Sequence, residues 1–454
     1  MFLGICLLLR LPAVLFAHGY EFLDQQFQYV DPAWSLASGD GWIPTWEWID
    51  GIRSWVYPGF LAGIFRVTRA IGVEEPMAMM RVARAVHALI SLLPMALLWL
   101  ALTRWRPLES PRFALLLIAG SGLMVTNGVQ TSGPAFGATL AAAAIFAFHG
   151  PGWRYPALGG LLLGLAFCCR YQTAIYGPAV VAVGLWQRRW AAVVWFTLAC
   201  LPGIALQGFV DLAAGRPFFA SPWAYLQMNV VLGGAAQWST RPWWFYLLLG
   251  VAPVLVLLPP WLGVAWRRMR DGAVVLPAVF AAATFHVVAH SFVARKALRF
   301  EYGAVALLVA VVGVGVAVRL AHESRLGRVY RALLVAAHAL LWLWASFFSG
   351  HAGAIAAANA LREEPSFEGG FAVVHGELTA VGGAFYLRRP RLEVVCMTPE
   401  ELARAEPPPR WVMAVRTPLA EDVASAAGFE LAGEYTGFFD MRRSDRRFLY
   451  ERRR

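Results

Sequence analysis

The chain has 454 residues, of which 59% are hydrophobic and 15% charged, and its mean hydropathy is +0.55. Soluble globular domains carry about a quarter of charged residues, so this composition excludes that class and indicates a polytopic membrane protein. The net charge of +11 does not indicate a nucleic-acid partner, because the basic residues lie largely in short loops between apolar segments. The five cysteines form no CxxC pair and predict no disulfide framework.

The apolar segments predict an α-helical membrane protein with about eleven transmembrane helices. Several segments are shorter than the roughly 20 residues that a straight span needs, which implies tilted helices or local bilayer thinning. The first segment contains Arg10 and lacks a basic leader, so we expect a retained helix rather than a cleaved signal. The predicted helices lie near residues 2–17, 83–103, 113–128, 134–149, 156–169, 172–187, 190–207, 243–263, 273–290, 300–320 and 331–349.

The orientation of the chain depends on segment 55–71, which is apolar but contains Arg66 and Arg69. If this segment does not span, the four main basic loops all lie on the cytoplasmic side, as the positive-inside tendency requires. We therefore predict that segment 55–71 is re-entrant or lies along the interface. The regions that this choice places on the external face are residues 18–82, 208–242, 290–299 and the C-terminal tail.

Two domains are predicted. Residues 1–351 form the transmembrane domain, in which residues 18–82 are a long external loop with juxtamembrane helices. Residues 352–454 form a small α/β domain outside the membrane, because short strand-like runs such as FAVVHG and WVMAVRT alternate with capped helical pieces such as TPEELARA.

Charged residues near the membrane are the first functional candidates. Asp24 follows the first helix at the level of the lipid head groups, where a carboxylate can act as a general base or be an ordinary solvated acid. Arg10 lies inside a membrane helix, where its planar fork suits a phosphate or carboxylate, although a structural ion pair is the alternative. Arg170 and Arg241 raise the same two possibilities.

The turn at residues 290–302 is the second candidate region. Arg295, Lys296 and Arg299 crowd an external turn that the topology rule would leave without cations. They indicate an anionic ligand, with lipid head groups as the alternative. His286 and His290 are four residues apart on an apolar helix with no glutamate between them, so we predict neither a metal site nor a cofactor here.

The first loop carries a series of motifs that resembles a known family. The series begins with Leu23, Asp24, Gln25, Gln26, Phe27 and Gln28, continues with Thr45, Trp46, Glu47 and Trp48, and ends with Ile52, Arg53, Ser54, Tyr57 and Pro58. In order and spacing it resembles the lipid-sugar-dependent mannosyltransferases of the glycosyltransferase C superfamily, which act on GPI anchors and lipid-linked oligosaccharides. Gln25 stands where that family has a glutamate, which leaves Asp24 without its usual acidic neighbour.

Two later regions extend the resemblance. The His-Ser element of the family matches His290 and Ser291, followed by Lys296, whereas Arg295 and Ala297 replace the family's histidine and glutamate. The other region resembles the family's Gly-x-x-Asp loop and Tyr-x-x-x-Asn element through Asp211, Gly215, Tyr225, Asn229, Pro242, Trp243 and Tyr246.

The resemblance implies an inverting transfer of mannose from a polyprenyl-phosphate-mannose donor to a hydroxyl of a glycan or glycolipid acceptor. Asp24 would be the base, and the donor phosphate would contact Arg10, Arg170, Lys296 and Arg299. The implied partners are the donor, the acceptor and membrane lipids. The substrate-binding candidates are Gln25, Gln28, Trp46, Glu47, Trp48, Arg53, Tyr57, Asp211, Asn229 and His290.

Some alternatives stay open at this stage. Trp46 and Trp48 suit the apolar faces of sugars, but interfacial anchoring explains them equally well. Glu47 orients either Arg53 or an acceptor hydroxyl, or forms a structural ion pair. Transfer of another lipid-linked sugar, a non-catalytic glycolipid-binding protein and a transporter are the competing functions. The arginine-rich, compact chain predicts a bacterial inner-membrane protein whose site faces the periplasm or exterior.

Overall fold

A computed structural model shows a mostly helical protein with one small sheet. Asp24 and Arg299 lie outside the residues that it describes, as does most of the predicted helix 243–263. The structure describes residues 1–20, 22, 25–105, 111–237, 240–246, 275–297, 300–301, 303–311, 325–348, 350–376, 383–389, 391–436 and 446–452.

The described residues divide into two compact units. The helical unit comprises Met1–Leu15, Asp50–Tyr57 and Arg84–Ser346. The mixed unit comprises Phe16–Ile49, Pro58–Ala83 and Phe347–Arg454, so parts of the predicted first loop group with the C-terminal region.

In the described residues, the helical unit is built from helices. Ser132 starts one of them by accepting a hydrogen bond from the backbone N–H of Ala135 at 3.4 Å, and Pro134 occupies its first turn. The helices lie at Phe2–Phe16, Pro76–Ile90, Leu92–Leu100, Ala101–Trp105, Pro111–Ala119, Gly122–Val129, Gly133–Phe148, Arg154–Cys169, Tyr171–Ile175, Tyr176–Trp186, Trp190–Ala213, Ala220–Leu226, Gln227–Val231, Gly234–Gln237, Val275–Ser291, 303–311 and Arg325–Ser346.

Length and apolar composition identify candidate membrane spans among the described residues. Pro76–Trp105 and Trp190–Ala213 are each long and apolar enough to cross a bilayer. Gly122–Val129 and Gly133–Phe148 meet at a bend of 113° and make a third candidate if they count as one span. The predicted helical character is therefore confirmed, whereas the number of about eleven transmembrane helices and their topology stay predictions.

Small residues allow the helices Arg154–Cys169 and Trp190–Ala213 to pack closely. A Cβ on Gly164 would lie 2.5 Å from the carbonyl oxygen of Cys200 and 2.8 Å from the Cα of Gly203. Contacts between small residues are typical of membrane helices, because apolar lipid offers no hydrophobic driving force and association relies on close van der Waals packing.

The mixed unit contains a five-stranded sheet with the order β2-β1-β3-β5-β4. Strand β1 is parallel to β2 and β3, whereas β5 is antiparallel to β3 and β4. The predicted strand-like runs FAVVHG and WVMAVRT form β1 and β3. The strands are β1 at Gly370–Val374, β2 at Glu393–Met397, β3 at Trp411–Val415, β4 at Phe429–Tyr435 and β5 at Arg447–Arg452.

Helices complete the mixed unit. Thr398 caps one of them by accepting a hydrogen bond from the N–H of Glu401, whose side chain bonds back to the N–H of Thr398, as the TPEELARA run predicts. An apolar core that includes Val374, Val412 and Phe448 packs beneath the sheet. The helices lie at Gln26–Val30, Asp31–Ser38, Trp46–Ile49, Val56–Ala70, Ala352–Glu363, Gly383–Leu387, Pro399–Ala403 and Glu421–Ala426.

Asp31 joins the first loop to the C-terminal region inside the mixed unit. Its Oδ2 accepts a hydrogen bond from the N–H of Ala384 and its Oδ1 one from the N–H of Phe385, each at 3.0 Å. Oδ1 also accepts a bond of 2.5 Å from the amide of Gln26. A Cβ on Gly383 would lie 2.7 Å from Oδ1, so a glycine is needed at this approach. The carboxylate therefore satisfies the N-terminus of helix Gly383–Leu387.

The opposite end of helix Asp31–Ser38 is held by helix Val56–Ala70. Arg66 donates to the carbonyl of Leu36 at 2.5 Å, and Arg69 donates to the carbonyl of Ala37 at 3.1 Å. Cations are favourable at the negative C-terminal end of a helix dipole. Arg66 and Arg69, the two cations within segment 55–71, thus bind a neighbouring helix. The 15-residue helix Val56–Ala70 is not among the candidate membrane spans of the described chain.

Asp31 is expected to make stability depend on pH. Burial raises its pKa from 3.8 to about 7, against the opposing effect of its three donors. Between these values the folded chain keeps a proton that the unfolded chain has lost, so the free energy of unfolding should fall by up to about 4 kcal/mol as pH rises from about 4 to 7. Above about pH 7, where Asp31 is ionised in both the folded and the unfolded chain, its contribution to the free energy of unfolding should no longer change with pH.

Thermal unfolding of Asp31→Asn and of the unaltered protein in detergent, measured across this pH range, tests the prediction. In the asparagine variant, stability should not show the decrease between about pH 4 and 7 that Asp31 causes. The exposed Glu74 gives the control variant Glu74→Gln, which should keep it. Parallel pH profiles for all three proteins would contradict the assignment.

Candidate active site

Arg10 is a fully buried cation in the helical unit. Its Nε donates to Ser91 Oγ at 2.7 Å, and its Nη1 donates to the carbonyl of Cys6 at 2.8 Å. Nη2 makes no hydrogen bond within the described chain, and no described carboxylate lies within ion-pair distance. A small pocket lies beside the guanidinium, with Asn127, Thr139 and Ala138 in its wall. The geometry leaves one charged donor for an oxyanion.

Arg170 lines a second small pocket in the same unit. Its guanidinium lies 5.2 Å from the ring centroid of Phe300, and that of Arg295 lies 6.0 Å from the same ring. Such cation–π contacts hold both guanidinium groups near one aromatic side chain. Ala138 borders this pocket and that of Arg10, so two of the predicted phosphate ligands line neighbouring cavities.

His286, His290 and Glu301 form a buried triad next to the second pocket. The Nδ1 of His286 lies 3.1 Å from one carboxylate oxygen of Glu301, and the Nδ1 of His290 lies 3.1 Å from the other. The ring of Tyr176 stacks on that of His286 with centroids 4.6 Å apart. The sequence pointed to His286 and His290 as a pair on one helix, and the fold adds the carboxylate of Glu301 to them.

Lys296 points its ammonium at backbone carbonyls. It donates to the carbonyl of Val293 at 2.6 Å and to that of Arg241 at 3.1 Å. Burial lowers its pKa. An ammonium has three donors, and two of them have partners within the described part of the chain. The other predicted cation of this turn, Arg299, lies outside the described residues.

Asp211 organises a polar network. Its Oδ1 accepts hydrogen bonds from Gln207 at 2.9 Å and from the hydroxyl of Ser221 at 2.6 Å, and its Oδ2 accepts one from the N–H of Ser221 at 3.0 Å. Ser54 extends the network by donating to Gln207 at 2.6 Å. Asp211 is completely buried, so these contacts fix the end of the first loop beside residues 207–221.

Three further candidates belong to the helical unit. The buried hydroxyl of Tyr57 lies 3.2 Å from Nε2 of His87. Asn229 donates to the carbonyl of Tyr225 at 3.0 Å, and Tyr225 packs edge-on against Tyr171. Arg53 is half-buried immediately before Ser54. Their roles as substrate ligands stay predictions.

The remaining candidates belong to the mixed unit. The amide of Gln28 donates to both carboxylate oxygens of Glu47, at 3.0 and 2.8 Å, and both side chains are buried. Thr45 donates to the same carboxylate at 3.4 Å. This contact ties the Phe-Gln motif to the Thr-Trp-Glu-Trp motif, so Glu47 has a described partner that the sequence did not suggest.

The other first-loop residues surround this contact in the chain. Gln25 is buried, and its backbone N–H donates to the carbonyl of Phe22 at 2.9 Å. Trp46 and Trp48 are half-buried, and Trp48 packs edge-on against Trp42 with ring centroids 5.6 Å apart. Part of each indole thus stays accessible to a sugar or to lipid.

Sequence reasoning missed two features of these regions. Asp31 drew no attention because its partners lie more than 350 positions away in the chain. The Asp31-Pro32 pair, which is typical of the first turn of a helix, was the feature of the sequence that could have pointed to Asp31. Ser91, the partner of Arg10, is 81 positions away and offered no signal in the sequence.

A helical membrane fold with charged side chains held inside its cavities defines the class of protein. Residues 1–366 match the Alg9-like mannosyltransferase family, so the chain belongs to that family and the resemblance drawn from the first loop is confirmed.

Individual relatives match over part of their length. The chain is similar to GPI mannosyltransferase 3 of Drosophila melanogaster, at 24% identity over 55% of this chain and 44% of the relative. GPI mannosyltransferase 3 of Yarrowia lipolytica is 28% identical over 63% of this chain and 56% of the relative. Undecaprenyl phosphate-alpha-4-amino-4-deoxy-L-arabinose arabinosyl transferase of Pseudomonas aeruginosa is 32% identical over 50% of this chain and 46% of the relative. The chain thus spans about half the length of these relatives.

Solved structures share the fold. ArnT from Cupriavidus metallidurans bound to undecaprenyl phosphate superposes with a TM-score of 0.64 at 14% identity, covering 99% of this chain and 97% of ArnT. The oligosaccharyltransferase of Archaeoglobus fulgidus in the apo form superposes with a TM-score of 0.50 at 10% identity, covering 92% of this chain and 70% of the oligosaccharyltransferase. These likenesses show the glycosyltransferase C fold, while the predicted orientation in the membrane stays a prediction.

The contact between Gln28 and Glu47 is expected to stabilise the first loop. Gln28→Leu removes the donor from a carboxylate that is 7% exposed, which should cost about 1–3 kcal/mol of unfolding free energy. A double-mutant cycle with Glu47→Gln, followed by unfolding in detergent, measures the coupling. The exposed Gln237 supplies the control Gln237→Leu, which should show none. Zero coupling in the first cycle would refute the contact.

Proposed function

We propose that the protein is an inverting glycosyltransferase that moves mannose from a polyprenyl-phosphate-mannose donor to a hydroxyl of a glycan or glycolipid acceptor. The observation that carries the proposal is the buried guanidinium of Arg10, which has an unbonded Nη2 and no described carboxylate partner. An unpaired charge in such a place is expensive and is typically retained for function. A donor phosphate supplies the missing negative charge.

The chemistry divides between two kinds of group. An inverting displacement at the anomeric carbon needs a base that takes the proton of the acceptor hydroxyl, and Asp24 is our candidate. The leaving group is a phosphate ester that gains negative charge as the sugar bond breaks. Cations stabilise that charge without donating a proton, which is the role we assign to Arg10, Arg170, Lys296 and Arg299.

The choice of donor sugar follows the relatives. Two relatives named GPI mannosyltransferase 3 support mannose. The second candidate is transfer of an amino-arabinose from undecaprenyl phosphate, which the Pseudomonas relative and the fold of ArnT favour. Membership of the mannosyltransferase family over residues 1–366 favours mannose of the two. We place the reaction at the external face of the membrane, following the predicted orientation.

One assay separates these candidates. The purified protein is incubated in detergent with radiolabelled polyprenyl-phosphate-mannose or the corresponding amino-arabinose donor, together with a panel of glycan and glycolipid acceptors. Transfer of mannose supports the proposal, and transfer of amino-arabinose alone supports the second candidate. Binding of donor without transfer to any acceptor would favour a glycolipid-binding protein, and vesicle uptake without transfer a transporter.

Asp24→Asn should abolish the base while keeping the size of the side chain. We expect the turnover number to fall by about 10² to 10⁴, with donor binding retained. Asp50, an exposed acid of the same loop, supplies the control Asp50→Asn, which should retain the full rate. Full-rate transfer by Asp24→Asn would eliminate the single-base mechanism.

Arg10→Gln should weaken use of the donor because it removes the charge while keeping a hydrogen-bonding side chain. We expect kcat/KM for the donor to fall by about 10² to 10³, the range found when one charge-stabilising donor is lost. Arg10→Lys should recover part of this loss, which a purely structural role for the planar fork would not predict. The exposed Arg154 gives the control Arg154→Gln. Unchanged kinetics for Arg10→Gln would remove Arg10 from the site.

A further inference from the structure

His286, His290 and Glu301 converge on one point inside the helical unit. His286 and His290 lie one turn apart on helix Val275–Ser291, and Glu301 follows the turn after that helix. The three side chains are 1–3% exposed. Their nearest atoms are separated by 3.1 Å from each Nδ1 to a Glu301 oxygen and by 3.3 Å between the two Nδ1 atoms.

These separations match a metal coordination sphere. Zinc bonds nitrogen and carboxylate oxygen at about 2.0–2.1 Å with tetrahedral geometry, so its ligand atoms lie about 3.3–3.4 Å apart. One ligand atom from each residue lies within 4.8 Å of the other two. Two imidazoles and one carboxylate are also a donor set that holds zinc in catalytic sites with an open fourth position. We propose that His286, His290 and Glu301 bind one divalent metal ion, Zn²⁺ or an ion of similar preference.

Hydrogen bonding alone leaves this cluster incompletely satisfied. The Oε1 atom of Glu301 lies 3.1 Å from Nδ1 of His290, yet it is buried and accepts no hydrogen bond of acceptable geometry within the described chain. The two Nδ1 atoms face each other at 3.3 Å, so if both carried a proton toward the carboxylate, two N–H groups would crowd together. A cation between the three groups removes both problems, because each then offers a lone pair.

The surroundings of the triad orient His286 and leave one coordination position of the metal open toward a pocket. Tyr176 stacks on the ring of His286 at an angle of 9°, which sets the orientation of that imidazole. His286 also lines the small pocket that Arg170 borders. The remaining coordination position can be filled there by water or by a ligand oxygen. A role for the metal toward an oxyanion in that pocket rests on the proposed function, whereas metal binding itself does not.

Metal analysis of the full-length protein tests the proposal. The protein is purified in detergent without chelator, assayed for metals, stripped, and titrated with Zn²⁺ against a chromophoric competitor. We expect about one site per chain in the unaltered protein. Because loss of a group that only orients a ligand already costs about 10–100-fold in affinity, Glu301→Gln and His290→Gln should each weaken binding by more than about 100-fold. His338→Gln, on another helix, is the matched control and should bind normally.

A measurement on the unaltered chain covers the case in which the variants do not fold. Co²⁺ added to the stripped protein should give the intense visible bands of a four- or five-coordinate nitrogen and oxygen site. The spectrum of the aqueous ion, or absence of saturable Zn²⁺ binding, would overturn the proposal. Zn²⁺ binding without sugar transfer would uphold the metal site and refute the proposed function. Full-rate transfer by the stripped protein would uphold the function and exclude the metal from it.

Discussion

A guanidinium buried among apolar helices must find partners for its N–H groups, and this constraint organises the helical unit. Arg10 turns back on the carbonyl of Cys6 in its own helix and reaches Ser91 on the next membrane helix. An apolar cluster that includes Ala13, Ala88 and Ala345 packs around the same helix and brings distant segments together. Because the remaining Nη2 has no described partner, the charge that costs most in this environment is also the one available to an anionic ligand.

Two buried acids of the described chain meet the same requirement. Asp31 is buried in the mixed unit, where backbone N–H groups of helix Gly383–Leu387 and the amide of Gln26 surround it. Asp211 is buried in the helical unit and receives Gln207 and Ser221. In both cases a carboxylate fixes a loop by accepting donors that would otherwise stay unpaired. The loops that carry the candidate site are thus positioned by acids that do not need to touch a substrate.

Much of the architecture follows from local patterns in the chain. Runs of apolar residues predict helices such as Trp190–Ala213, and the alternation of short β-rich runs with the Thr398 capping box predicts the small α/β region. The spacing of residues 24–28 and 45–58 was enough to indicate the family. Predictions for Asp24 and Arg299 depend on residues that the structure does not describe. Local patterns also left the role of Glu47 open among Arg53, an acceptor and a structural ion pair, and they did not indicate the hydrogen bonds that Gln28 and Thr45 donate to its carboxylate.

The sequence by itself indicated a membrane environment, the helical character and the family, because composition, hydrophobic runs and motif spacing can be read from the chain without its tertiary contacts. Only the tertiary structure decided which polar groups meet. Glu301 reaches His286 and His290 only after the turn between two helices closes, and Arg10 meets Ser91 only when two helices pack. Such pairings depend on packing between segments that are distant in the chain, and a buried charge is tolerated only where that packing delivers its partner.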